Sequence, residues 1–156
     1  MRLTIHPADF GDPALEFFLE AHLADMAPHS PVESQHALDL AALRQPTVRL
    51  WVARSEQRIA GSCALAVLAP GHEELKSMRT DPGFRGQGVA TRLLRHAMAS
   101  AKARQVARIS LETGAMEFFS PARALYAKHG FEPCQPFGSY LEDPNSVYMT
   151  RAVELP

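Results

Sequence analysis

The 156-residue chain has only two cysteines, Cys63 and Cys134, too few and too far apart for a disulfide framework or a zinc cluster, so a reduced, cytoplasmic setting is the expectation. It also lacks an excess of either charge. Lys plus Arg number 16 against 17 Asp plus Glu, which gives no electrostatic case for nucleic acid or an acidic membrane surface; any anion site must be local. No apolar run approaches the length of a membrane span, and the opening MRLTIHPADF has no charged lead followed by an apolar core, so no membrane segment and no signal peptide are expected. What remains is a chain with 46% hydrophobic residues, suited to one domain over residues 1–156 that buries about two-thirds of its unfolded surface.

Local patterns alternate between strand and helix. LTI reads as a short strand ended by Pro7, and Asp12-Pro13 as a helix start, with Leu15, Phe18, Leu19, Leu23 and Met26 at helical spacing until Pro28. Ser30-Pro31-Val32-Glu33 carries a capping-box signal and predicts a second helix reaching about Leu43. Residues 47–54 alternate as a half-buried strand, and residues 59–68, apolar on both faces, read as a central one. A further strand is expected over about 73–80, an amphipathic helix over about 86–104, a strand in ARISLET and a helix from Ser120 to about His129, capped by Gly130. Short strands near 131–134 and 147–153 complete the chain.

The densest stretch is MRTDPGFRGQGVATRLL, residues 78–94: a basic, glycine-rich turn set against a helix start. A helix N-terminus exposes unpaired N–H groups and about half a positive charge, and glycines let that backbone approach a phosphate. No carboxylate competes between Phe84 and Arg104, while Arg85 and Arg92 can add charge-assisted contacts. A tight capped loop without a ligand explains the glycines equally well. A Walker loop is excluded because no Gly-Lys-Ser or Gly-Lys-Thr is present. A dinucleotide fingerprint matches by half: Gly86 and Gly88 are in place and Glu112 lies downstream, but Thr91 stands at the third glycine position and DPGFR separates strand from turn.

RGQGVA, Arg85 to Ala90, resembles the Gln/Arg-x-x-Gly-x-Gly/Ala acyl-CoA signature of the GNAT superfamily of N-acetyltransferases, and ARALYAKHGFEP is similar to that family's second signature. Together the matches cover about residues 72–134. The resemblance implies a mixed α+β domain: a mostly antiparallel six- or seven-stranded sheet with about four helices, splayed between the strand ending at Thr80 and the strand ending at Thr113. It implies acetyl-CoA as cosubstrate, with backbone groups of the Met78-Arg79-Thr80 segment on the pantetheine arm. Arg85, Gly86, Gln87, Gly88, Val89, Ala90 and Thr91 would cradle the pyrophosphate. Phe119 stands where many relatives place an asparagine that bonds pantetheine. Many relatives are dimers, so a homodimer is compatible with the family.

Acetyl transfer to a primary amine of a small molecule or peptide needs a neutral nitrogen, and a lysine-like amine of pKa about 10.4 is mostly protonated at pH 7, so a base must take its proton. The resemblance places Glu74 in the position of that base. By strand alternation Glu74, Lys76, Met78 and Thr80 share one face. An exposed glutamate at a strand start is the plainer reading of Glu74, and Glu112, next to Thr113, is a second candidate. Tyr126 matches the tyrosine many relatives set near the departing thiol; the packed side of a helix is its plainer role. His22, His29 and His36 recur every seven residues, but Pro28 and Pro31 break the helix between them and no metal is expected. In PHSPVESQHAL, His29, Ser30, Glu33, Ser34 and His36 are candidate acceptor contacts. Cys63 reads as core, and EDPNSV, with Asp143 and Asn145, as a plain turn. A catalytically silent CoA-binding module on the same fold is the rival reading.

Overall fold

The computed structural model describes residues 2–29 and 40–154. Its elements, in chain order, are β1 (Thr4–Pro7), α1 (Pro13–Met26), α2 (Leu40–Leu43), β2 (Val48–Ser55), β3 (Arg58–Ala69), β4 (His72–Thr80), α3 (Val89–Ala103), β5 (Arg108–Gly114), α4 (Ser120–Lys128), β6 (Glu132–Pro133) and β7 (Ser146–Ala152). Of the helix expected from Ser30, only the last turn, α2, falls within the described residues; Glu33 and His36 lie outside them.

All seven strands form one sheet in the order β1-β2-β3-β4-β5-β7-β6, antiparallel except for β4 against β5. That parallel pair is short. It runs from His72 to Leu75 opposite Arg108 to Leu111, and both strands continue beyond it without pairing to each other. The expected splay is therefore present, and it opens toward Thr80 and Thr113.

β3 explains the two layers. Cys63 and Leu65 pack with Leu75, Ile109 and Leu111 of the sheet and with Val89, Leu93, Leu94, Ala97 and Ala101 of α3. Ala64, on the other face, packs with Leu15, Phe18 and Leu19 of α1 and Leu43 of α2. Burying a leucine of this kind contributes about 2 kcal/mol, so the amphipathic stripe of α3 is what holds that helix, and the turn before it, against the sheet. Gly61 sets the distance: a Cβ there would stand 2.7 Å from both the Arg79 carbonyl oxygen and Val89 Cγ1. Asp12 caps α1 as expected, accepting from Ala14 N at 3.0 Å, and is pinned by Arg54 at 2.6 Å.

Strand alternation does not survive in β4. Between Ser62↔Arg79 and Ala64↔Lys76 the register shifts, so that Ser77 and Met78 oppose Cys63 alone, and Ser77 takes a φ of +52°. This bulge corrects the expected face. Glu74 and Lys76 pair with Ala66 and Ala64 on the α1 side, but Met78 packs into the α3 core and Thr80, opposite Gly61, follows it. Arg79 takes their place on the α1 side, its guanidinium over the Phe18 ring.

Candidate active site

A cleft of about 1290 Å³ lies where β4 and β5 part, walled by α1, the start of α3, and α4. The turn that leads into α3 is anchored from below. Asp81 accepts from Gly83 N at 3.0 Å, Asp81 N donates to Ala60 O at 2.8 Å, and Phe84 is buried under the Arg58 guanidinium. Gly86 and Gly88 then adopt φ of +74° and +82°, and for that reason the helix starts at Val89, later than periodicity alone predicts. A Cβ on either glycine would meet nothing within 4 Å, so the left-handed backbone and not crowding from protein explains the residue choice. The first helical bond is Arg92 N to Gly88 O, and no side chain caps the helix. The N–H groups of Val89, Ala90 and Thr91 are thus presented to the cleft mouth with the positive end of the helix dipole.

Met78, Arg79, Thr80, Arg85, Gly86, Gly88, Val89, Ala90 and Thr91 all line this cleft, as do Glu74, Glu112, Thr113 and Tyr126. Gln87 and His29 do not. His29 instead stacks flat on Phe118, centroids 3.7 Å apart, and Phe118 meets Phe119 edge-on. Phe119, at the position of the expected asparagine, lies against the backbone of Gly114; a Cβ on Gly114 would collide with its ring.

Glu74 is not an exposed strand-end carboxylate. It is 6% exposed, and its Oε2 accepts from the Tyr140 hydroxyl at 2.5 Å and from Lys76 Nζ at 3.2 Å, while Lys76 Nζ also donates to the Tyr140 oxygen at 3.2 Å. Its neighbour Glu73 faces the other way, in a two-pronged pair with Arg104. Glu112 accepts from Ser146 Oγ at 2.7 Å. Burial pushes the Tyr126 hydroxyl well above the usual tyrosine range, and burial followed by the Glu74 charge does the same to Tyr140. Cys63, inside the core, is raised to about 12 by burial. Toward α1, Arg79 Nη1 donates to Asp25 at 2.7 Å, and burial, with Arg79 beside it, lowers His22 to about 4.

Tyr140 is the residue that sequence reasoning missed. It belongs to the segment between β6 and β7, just before the EDPNSV that reads as a plain turn, and nothing local connects it to a strand 66 residues earlier. Its ring packs against Phe137 and Tyr148, and Tyr148 in turn donates to Leu141 O at 2.6 Å.

The family model for the acetyltransferase (GNAT) family matches residues 15–131, a span that includes the α1 wall, both parting strands, the glycine turn and α4. The chain belongs to the GNAT acetyltransferase family. Two curated relatives of this GNAT protein are the uncharacterized N-acetyltransferase YedL of Escherichia coli, 43% identical over 94% of this chain and 92% of its own, and the uncharacterized N-acetyltransferase YsnE of Bacillus subtilis, 48% identical over 83% and 86%. A crystal structure of a Klebsiella pneumoniae protein described as an acyl-CoA N-acyltransferase superimposes with a TM-score of 0.81 at 30% identity, covering 97% of this chain and 98% of that one. The GNAT chain is accordingly an N-acetyltransferase by family. Among its described residues no helix is long and apolar enough to cross a membrane, and no group of three or more His, Cys, Asp or Glu could hold a metal.

Proposed function

We propose that this protein moves the acetyl group of acetyl-CoA directly onto a primary amine of a small molecule or peptide. The observation that supports it is the meeting in one cleft of an uncapped helix start, open space above Gly86 and Gly88, and a buried carboxylate on the strand that leads into that turn. Those features fit the cosubstrate: the N–H groups of residues 89–91 would take the pyrophosphate, with Arg85 adding charge. Backbone groups of Met78 and Thr80 would hold the pantetheine arm. When bound, acetyl-CoA supplies an acyl carbon activated as a thioester.

Deprotonating a lysine-like amine at pH 7 costs roughly 4.6 kcal/mol, from a gap of about 3.4 pKa units. Glu74 takes that proton, directly or through a water, with Glu112, which also lines the cleft, as the second candidate. The nitrogen–carbon bond then forms as the carbon–sulfur bond breaks. Past Leu75, β4 keeps its ladder to β3 but has none to β5, so the N–H groups near the bulge that turn toward β5 would polarise the acyl oxygen. Tyr126, whose burial makes it a weak acid, assists the departing thiolate by donating a hydrogen bond and keeps its own proton.

The test is release of free CoA thiol from acetyl-CoA across a broad panel of amines, with acetylated product identified by mass. Turnover with at least one amine is expected. Acetyl-CoA binding by calorimetry with no thiol release would leave a silent CoA-binding module, and stronger thermal protection by NADH than by acetyl-CoA would overturn the nucleotide assignment.

A further inference from the structure

Three charged side chains follow one another along the α1 face of β4: Glu74, Lys76 and, after the bulge, Arg79. Lys76 is committed, donating to both Glu74 and Tyr140. Arg79 is only half committed. Its side chain is 7% exposed, lies over Phe18, and makes its single ion pair among the described residues through Nη1, to Asp25. Nε is buried and has no hydrogen-bond partner. Nε lies on the Nε/Nη2 edge, with which an arginine takes a carboxylate side-on in two parallel hydrogen bonds, and among the described residues no acceptor is seen on that edge. Buried donors are rarely left in that state unless something else completes them.

Arg79 lines the same cleft as Glu74; Lys76, Arg79 and Arg85 stand there against Glu20, Asp25, Glu74 and Glu112, so an anion would be held by the open guanidinium edge and not by a net positive charge. Asp25 neutralises one guanidinium, but Arg85 also acts on Asp25 through space, while His22, held down to about 4 by burial and by Arg79, is uncharged at neutral pH. Leu19, Leu23, Met26 and Leu40 add apolar surface to this wall, beside Glu20, His22 and Asp25.

We propose that Arg79 anchors a carboxylate of the acceptor, and that the acceptor is an amino acid or amino-acid-like amine with an apolar side chain. Its carboxylate sits on the Nε/Nη2 edge and its amine turns toward Glu74. The inference rests on the acetyl-transfer reading for the identity of the amine, but the anchor itself is a binding claim. A phosphate of the cosubstrate is the other anion that could fill the same edge, and the test separates the two.

The full chain, saturated with CoA, is titrated by calorimetry with N-acetyl-L-phenylalanine and with N-acetylphenethylamine, which differs only in lacking the carboxylate. The carboxylated product is expected to bind roughly 10- to 100-fold more tightly. In Arg79→Met and in Arg79→Lys, which keeps the charge but not the fork, that preference closes to within about threefold while the affinity for CoA is unchanged. Equal affinities in the unaltered protein, no detectable binding of the carboxylated product at millimolar concentration, or a preference that survives in both variants would overturn the proposal. A loss of CoA affinity in the variants would reassign Arg79 to a phosphate. Should Arg79→Met fail to fold, Arg79→Lys carries the same comparison. No turnover is needed, so an absence of thiol release in the amine panel would strike the acetyl-transfer reading separately.

Discussion

The two walls of the cleft are built in opposite ways. The turn from Asp81 to Thr91 is contiguous: its glycine conformations, its anchoring by Asp81 and Phe84 and its uncapped helix start all arise within a dozen residues. The opposite wall, the proposed acceptor face, draws Glu74 and Lys76 from β4, Tyr140 from the segment before β7, Glu112 from β5 and Asp25 from α1. A contiguous backbone device suits a ligand portion that does not change between relatives, whereas a face assembled from side chains of separate elements can be re-specified one residue at a time. With this division, changes on one wall should alter one kinetic parameter and leave the other alone.

The largest effect should come from Glu74→Gln, which keeps shape and removes the proposed base. A fall in kcat of roughly 10²- to 10⁴-fold is expected, with KM for acetyl-CoA unchanged. Retention of full activity would transfer the role to Glu112, to be checked by the same substitution there.

His22, on the α1 wall, should make that side acid-sensitive. Its pKa is about 4 in the folded chain against 6.5 unfolded, so between those values the unfolded state binds more protons and stability falls as pH drops from 6.5 toward 4. The amplitude is at most about 3 kcal/mol, reached below both values. Chemical denaturation between pH 4 and 7 should show this slope, and His22→Gln should flatten its share of it.

Gly88→Asp is the matching probe of the turn. It puts a β-carbon at φ +82° and a negative charge where N–H groups are presented. Acetyl-CoA affinity should drop at least about tenfold, from roughly 1.4 kcal/mol or more of strain and repulsion, while kcat at saturating cosubstrate stays within about threefold. A collapse of kcat with affinity intact would dissolve the contrast between the walls.

That contrast also tracks what was legible in the sequence. The turn, α3 behind it, the central position of β3 and the burial of Cys63 were readable because glycine conformation and amphipathic spacing are local properties. The faces of β4 were misread past Lys76. The bulge is carried by Ser77 at positive φ, with no glycine or proline to announce it, and one inserted residue moves Met78 and Thr80 to the far face and brings Arg79 round. Tyr140 and the His29–Phe118 stack were invisible for a different reason: each depends on where separate elements dock, which no local periodicity encodes.

The smallest expected effect is the one that tests whether the acceptor face is a unit. Tyr140→Phe keeps the ring against Phe137 and Tyr148 and deletes only the hydroxyl, which both donates to Glu74 and accepts from Lys76. Lys76 remains on Oε2, so the carboxylate keeps one of the two donors described for that oxygen. The loss should be that of a single hydrogen bond, about 1 kcal/mol or roughly fivefold in kcat, with KM for acetyl-CoA and the melting temperature close to those of the parent. If Tyr140 acts only through Glu74, the substitution adds nothing in a Glu74→Gln background, and the double variant should match Glu74→Gln alone. An additional fivefold loss in that background would mean that the hydroxyl touches the acceptor itself, making the β6–β7 segment a direct specificity element.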